Sequence, residues 1–141
     1  MTVASITTDI NIGPFKIPSN GQNMIMNNYA SRNQLTIELV IPEPMMSNAL
    51  ETVQWVHDEN NLTKVIMCSM HQLPKDENRA HELIKSMESV EFHFALEGIS
   101  GKGKKFLLET IKESKLFIQA KKIDSTKSSW SELFKMMKKN K

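Results

Sequence analysis

Lys64-Val65-Ile66-Met67-Cys68-Ser69-Met70 is the stretch that decides the fold. Val65, Ile66, Met67, Cys68 and Met70 follow one another almost without a polar break. A strand with one wet face alternates apolar and polar residues, whereas a strand covered on both faces runs apolar throughout. The segment therefore reads as the central strand of a parallel sheet, with helices above and below it. The rest of the chain can be placed outward from it.

Upstream, Val3 to Thr8 is short and rich in β-branched residues, a strand signature. Gly13, Pro14, Pro18 and Gly21 punctuate a loop after it, and Ser19 or Asn20 can cap a helix running to about Arg32, with Met24, Ile25, Tyr29 and Met26 as its candidate apolar positions. Leu35, Ile37, Leu39 and Ile41 alternate with polar residues as a strand near a sheet edge does, and Pro42 and Pro44 end it. Ser47 then caps a helix to about Glu59, with Ala49, Leu50, Val53 and Val56 on one stripe. Downstream, Pro74 and Asp76 open a helix whose stripe is Ala80, Leu83, Ile84 and Met87. Val90, Phe92, Phe94 and Leu96 alternate as a fourth strand. Gly98 to Gly103 reads as a flexible loop, and Phe106, Leu107 and Ile111 mark a helix to about Ser114. Leu116 to Lys121 reads either as a fifth, edge strand or as a continuation of that helix, with the strand favoured. Ser128 to Lys139 is a short amphipathic helix with Trp130, Leu133, Phe134 and Met137 on one side.

Strands alternating with helices define an α/β fold: a three-layer sandwich around a mostly parallel sheet of four or five strands. The expected order is flavodoxin- or resolvase-like, 2-1-3-4. The 141 residues suit a single domain over 1–141, and 40% apolar with 24% charged residues is a globular composition. No run of apolar residues is long enough for a membrane helix, and no basic-then-apolar leader opens the chain, so a cytoplasmic setting is expected. The lone Cys68 rules out an intrachain disulfide and reads as a small buried hydrophobe. A net charge of +2 does not announce a nucleic-acid binder, although Lys102, Lys104, Lys105 and the tail lysines make the C-terminal third basic.

In such sheets ligands bind beyond the carboxyl ends of the strands, where the strand order reverses. That rule selects three loops. The first carries Lys16, Ser19, Asn20, Gln22 and Asn23; the second Ser69, His71, Gln72 and Lys75; the third Glu97, Ser100 and Lys102. His71 titrates near neutrality and is the candidate acid/base, with Glu97 as its orienting partner and Ser19 or Ser69 as a candidate nucleophile. Asn20, Gln22, Asn23, Ser69, Gln72 and Lys75 are the candidate substrate-binding residues. The four histidines lack metal-ligand spacing and Cys68 is not part of a CxxC pair, so no metal or other cofactor is expected. Gly98, Gly101 and Gly103 beside Lys102, Lys104 and Lys105 have the composition of a phosphate cradle but not the spacing of a dinucleotide fingerprint.

Two resemblances follow from short motifs. Ile17-Pro18-Ser19-Asn20-Gly21-Gln22-Asn23 with Tyr29-Ala30, Ser69-Met70-His71-Gln72-Leu73-Pro74, and Phe92-His93-Phe94-Ala95-Leu96-Glu97-Gly98 resemble, in order, the sporadic carbohydrate cluster proteins. That resemblance implies a role in surface polysaccharide or lipopolysaccharide sugar biosynthesis, with no established reaction to carry over. The chain departs from that pattern over Glu43 to Ser47. Ile12 to Asn23 and Val90 to Ile99 are similar to the first strand and loop and the fourth strand and loop of serine recombinase (resolvase) catalytic domains. There Pro18 takes the position of the nucleophilic serine, with Ser19 one residue away. The family's Asp-Arg-Leu-Gly-Arg stretch becomes His71-Gln72-Leu73-Pro74-Lys75, without either arginine. Phosphoryl transfer to serine needs such cations, and lysine does not reproduce bidentate arginine.

The leading expectation is thus a cytoplasmic enzyme or enzyme subunit of surface-carbohydrate biosynthesis that binds a sugar or sugar nucleotide. The alternative is a non-catalytic interaction or DNA-associated module on a degenerate serine-recombinase fold. The apolar stripe of the C-terminal helix is expected to pack either on its own domain or on a second subunit as a homodimer; neither a membrane span nor a nucleic-acid partner is expected under the leading reading.

Overall fold

The computed structural model describes residues 2–8, 12, 16–43 and 50–120. The expected cap at Ser47 and the C-terminal helix near 128–139, with the homodimer considered for it, lie outside the described residues.

The strand read as central is central. β3 (Leu62–Met67) lies between β1 (Thr2–Thr8) and β4 (Glu91–Phe94), parallel to both, with Ala4 opposite Val65 and Val65 opposite Phe92. Val65, Ile66 and Met67 are fully buried, as a strand covered on both faces must be. β2 (Leu39–Glu43) pairs with the outer side of β1, and β5 (Ile99–Gly101) runs antiparallel to β4, giving the order β2-β1-β3-β4-β5.

The period of two assigns the layers. Ala4, Ile6, Val65, Met67, Phe92 and Phe94 point to one face. They form the main core there with Val53 and Val56 of α2 (Glu51–Asn60), Leu83 and Ile84 of α3 (Glu77–Ser86), and Leu107 and Ile111 of α4 (residues 104–120). Val3 and Ile66 point to the other face and meet Met26, Tyr29 and Ala30 of α1 (Ser19–Arg32). The result is the expected α/β three-layer sandwich.

Five local expectations change. The fifth strand is Ile99–Gly101, not Leu116 to Lys121. Gly98 takes a left-handed φ of 67° and lets β4 fold back as a hairpin, so the loop read as flexible is an edge strand. Gly101 is needed for a second reason: a Cβ there would lie 2.7 Å from the Phe106 ring. Residues 116–120 continue α4, whose inward stripe of Leu107, Thr110, Ile111 and Ser114 keeps helical spacing. β2 starts later than its alternation suggests. Gln34 at φ 57° and the Leu35 N–H donating to the Ala30 carbonyl close α1, so the ladder begins only at Leu39. Leu35 and Ile37 consequently pack toward α1, while Leu39 and Ile41 join the main core. Pro42 lies inside β2, an edge position that tolerates its missing N–H. Finally, α1 has Pro18 at its cap and no side-chain capping bond; Ser19 and Asn20 are its first residues. Its inward stripe is Gln22, Met26, Tyr29 and Ala30, while Met24 is 72% exposed.

Candidate functional site

The carboxyl edge of the sheet is built by three loops. Gln22 joins the first loop to the strand before it. Its Oε1 accepts from the Thr8 N–H at 2.9 Å, and its Nε2 donates to the Thr8 and Ile17 carbonyls at 2.8 and 2.7 Å. The side chain is fully buried. A buried amide with these partners behaves as an extra rung of main chain.

The second loop leaves β3 through Ser69, which caps the single 3-10 turn Met70–Gln72. The Ser69 Oγ accepts from the His71 N–H, and the Gln72 Oε1 accepts from the Ser69 N–H, a reciprocal capping box. The third loop brings Glu97 across the hairpin turn. Its Oε2 accepts from the Ser69 hydroxyl at 2.8 Å and its Oε1 from the Met70 N–H at 2.6 Å. These short charge-assisted bonds tie the ends of β3 and β4 together.

His71 is therefore not oriented by Glu97. Its Nδ1 lies 2.6 Å from the Ser114 Oγ on α4, and its ring rests 5.2 Å from that of Phe117. Burial holds the imidazole below its ordinary range, and the Lys75 ammonium adds to the effect, so His71 is neutral at pH 7. Lys75 donates to the His71 carbonyl at 3.1 Å. Burial holds its own ammonium low, with Lys115 contributing. The structure thus brings Ser69, His71, Gln72, Lys75 and Glu97 into one cluster. Ser19 and Asn20 are exposed and Asn23 half-buried at the start of α1.

Two groups at this edge were not singled out from sequence. Ser114 sits on the inward stripe of α4, where a polar residue among Leu107 and Ile111 is the available signal. Glu43 ends β2 fully enclosed. Its Oε1 accepts from the Val53 N–H at 2.8 Å, its Oε2 has no partner among the described residues, and burial pushes the carboxyl up.

Elsewhere the polar residues are structural. The His93 Nε2 lies 2.6 Å from the Glu91 Oε1 and its Nδ1 2.7 Å from the Tyr29 hydroxyl. A carboxylate can only accept, so Nε2 carries a proton toward Glu91, and Nδ1 makes the second hydrogen bond with the Tyr29 hydroxyl. This chain fastens α1 to β4. His57, read from sequence as solvated, is buried because its Nδ1 accepts from the Leu62 N–H. The Cys68 thiol is buried and pushed up to about 11, which leaves it un-ionised and inert. Among the described residues no group of three His, Cys, Asp or Glu side chains could hold a metal ion, and no helix is long and apolar enough to cross a membrane.

With this geometry in view, the class of fold is clear: a resolvase-like α/β domain. Among solved structures, the N-terminal catalytic domain of the TP901-1 integrase is similar over 86% of this chain and 97% of its own, with a TM-score of 0.57 and 15% identity. Likeness at that identity shows the fold alone. No protein-family model matches the chain, and no curated protein matches it either. The expected resemblance to sporadic carbohydrate cluster proteins is therefore unsupported.

Proposed function

We propose that this chain is a non-catalytic interaction module on a serine-recombinase-like fold. One observation carries the reading. Of the polar groups that sequence placed at the carboxyl edge, Gln22, Ser69, His71, Gln72 and Glu97 are engaged in holding that edge together, while Ser19 and Asn20 stay exposed. Gln22, Ser69, Gln72 and Glu97 bond to backbone or to one another, and His71 to α4. Strand transfer to a serine would need cations to hold the scissile phosphate and its developing charge. Of the chain's two arginines, Arg32 lies in the last turn of α1, and Arg79, in the first turn of α3, is 3.5 Å from Glu82.

The test is functional and thermal together. The full chain is incubated with supercoiled DNA, sugar nucleotides and sugar phosphates, and turnover and melting temperature are read. The expected result is no nicking, no sugar turnover and no saturable shift from the sugar ligands. Turnover or a saturable shift lost in His71→Ala would overturn the reading in favour of a sugar enzyme.

A further inference from the structure

The inward stripe of α4 runs past the sheet on which it packs. Leu107, Thr110, Ile111 and Ser114 are buried, and Phe117 and Ile118 continue the same three- and four-residue spacing. Phe117 is nevertheless 36% exposed and Ile118 only half-buried. The topology gives the reason. α4 starts just after β5, whose Gly101 stands opposite Phe92 near the start of β4, and it reaches the carboxyl edge at Ser114, beside His71. Its last described turn therefore overhangs that edge, with the Phe117 ring against that of His71. Leu96, in the turn after β4, is 45% exposed at the same edge. Its N–H donates to the Cys68 carbonyl, so it flanks the segment that carries His71.

The chain goes on from this point through residues 121–141, which lie outside the described residues. Their sequence carries three signals. Asp124-Ser125-Thr126 favour turns over helix interiors, which argues against a straight extension of α4. Ser129 and Glu132 have the spacing of a capping box, the start signal of a new helix. Trp130, Leu133, Phe134 and Met137 then fall at i, i+3, i+4 and i+7, an apolar face that needs cover, with Lys135, Lys138 and Lys139 off it. The tether is long enough for the chain to turn back. Residues 121–128 reach about 26 Å when extended, more than the roughly 19 Å across a sheet of five strands.

We infer that the chain's own segment 129–139 docks as an amphipathic helix on the carboxyl edge, over Phe117, Ile118 and Leu96. The exposed apolar side chains of the edge and the apolar face of the segment complement one another, and the overhanging end of α4 delivers the segment to that place. A short tether makes the contact intramolecular at an effective concentration in the millimolar range, which favours the chain's own segment over a second copy. Docked there, the segment closes the edge at which open α/β sheets bind ligands, beside His71. The inference goes beyond the reading of the chain as an interaction module, and it stands or falls separately from whether the edge performs chemistry.

The experiment reads Trp130 fluorescence in the full chain carrying Trp55→Phe, which removes the only other tryptophan from a 64% exposed position on α2. Emission maximum and acrylamide quenching are compared with those of a synthetic peptide of residues 128–141. Docking predicts a blue-shifted maximum and quenching several-fold weaker than in the peptide, both unchanged on dilution. Leu96→Glu/Ile118→Glu should move both readings toward the peptide values. Leu133→Glu should do the same from the segment's side, where the sheet and its core are untouched. Leu116→Glu is the control: that side chain is 54% exposed and stands on the side of α4 opposite the inward stripe, so both readings should stay as they were. Peptide-like readings in the Trp55→Phe chain would overturn the inference. So would protection that survives Leu96→Glu/Ile118→Glu, which would put the segment elsewhere, or protection lost on dilution, which would put it on a second copy.

Discussion

The carboxyl edge of the sheet and the α3–α4 groove are both rich in polar side chains and use them in opposite ways. At the edge, Gln22, Ser69, Gln72 and Glu97 satisfy backbone groups and one another. Along the α3–α4 groove, Lys85, Lys104, Lys112 and Lys115 make no ion pair among the described residues. Polar groups that bond inward contribute to folding, because an unmade buried hydrogen bond costs more than a made one contributes. Charges left unpaired on the rim add little to stability and remain available to a partner. The difference separates residues that build the molecule from residues free to recognise something else.

Removing an edge group should therefore cost stability in proportion to what it leaves unpaired. The largest loss is expected for Gln22→Ala. It strands the Thr8 N–H and the Thr8 and Ile17 carbonyls in a fully buried site, and chemical denaturation should show a loss of about 3 kcal/mol. A change below about 0.5 kcal/mol would mean that water replaces the amide and that the edge is less closed than described. Glu97→Ala should come next, at about 2 kcal/mol, since it leaves the Met70 N–H and the Ser69 hydroxyl without their acceptor. Tyr29→Phe removes one hydrogen bond to His93 on the α1 side and should cost about 1 kcal/mol.

His71 gives a smaller, pH-dependent effect. Its folded pKa lies below the ordinary 6.5, chiefly through burial. Between the folded value and 6.5 the unfolded chain binds more protons than the folded one. This contribution is fully present above 6.5 and falls as the pH drops through that window. Melting temperature followed from about pH 8 to about pH 5 should decline, and should decline less in His71→Asn. The smallest stability change belongs to the groove. Lys112→Glu/Lys115→Glu should shift unfolding free energy by no more than about 0.5 kcal/mol, because exposed charges are screened. A large destabilisation there would erase the contrast between the two regions.

How legible this was in the sequence depends on whether the signal was local. The uninterrupted apolar run at Val65 to Cys68 is local, and it placed β3, the parallel sheet and the strand order. The Asp76 cap was likewise readable, since its carboxylate accepts from the Arg79 N–H three residues on. Gln22 was marked as functional because a polar residue near a helix start looks available; its partners, Thr8 and Ile17, are set by tertiary contact. The same holds for His71, whose partner Ser114 lies 43 residues away. β5 was missed because three residues between glycines carry too little pattern, and only the Gly98 turn and the contact of Gly101 with Phe106 define it. Lys75 read as a candidate substrate-binding residue and Lys104 as part of a basic, glycine-flanked loop, and their common placement emerges only when α3 and α4 are packed.

The most direct test of the central claim, that the edge builds the fold and performs no strand transfer, is a search for a covalent protein–DNA adduct. The full chain is incubated with supercoiled DNA, quenched in denaturant, and resolved on a denaturing gel. The account predicts no adduct. An adduct that disappears in Ser19→Ala would contradict it, and would place working chemistry at the edge where the hydrogen bonds argue for architecture.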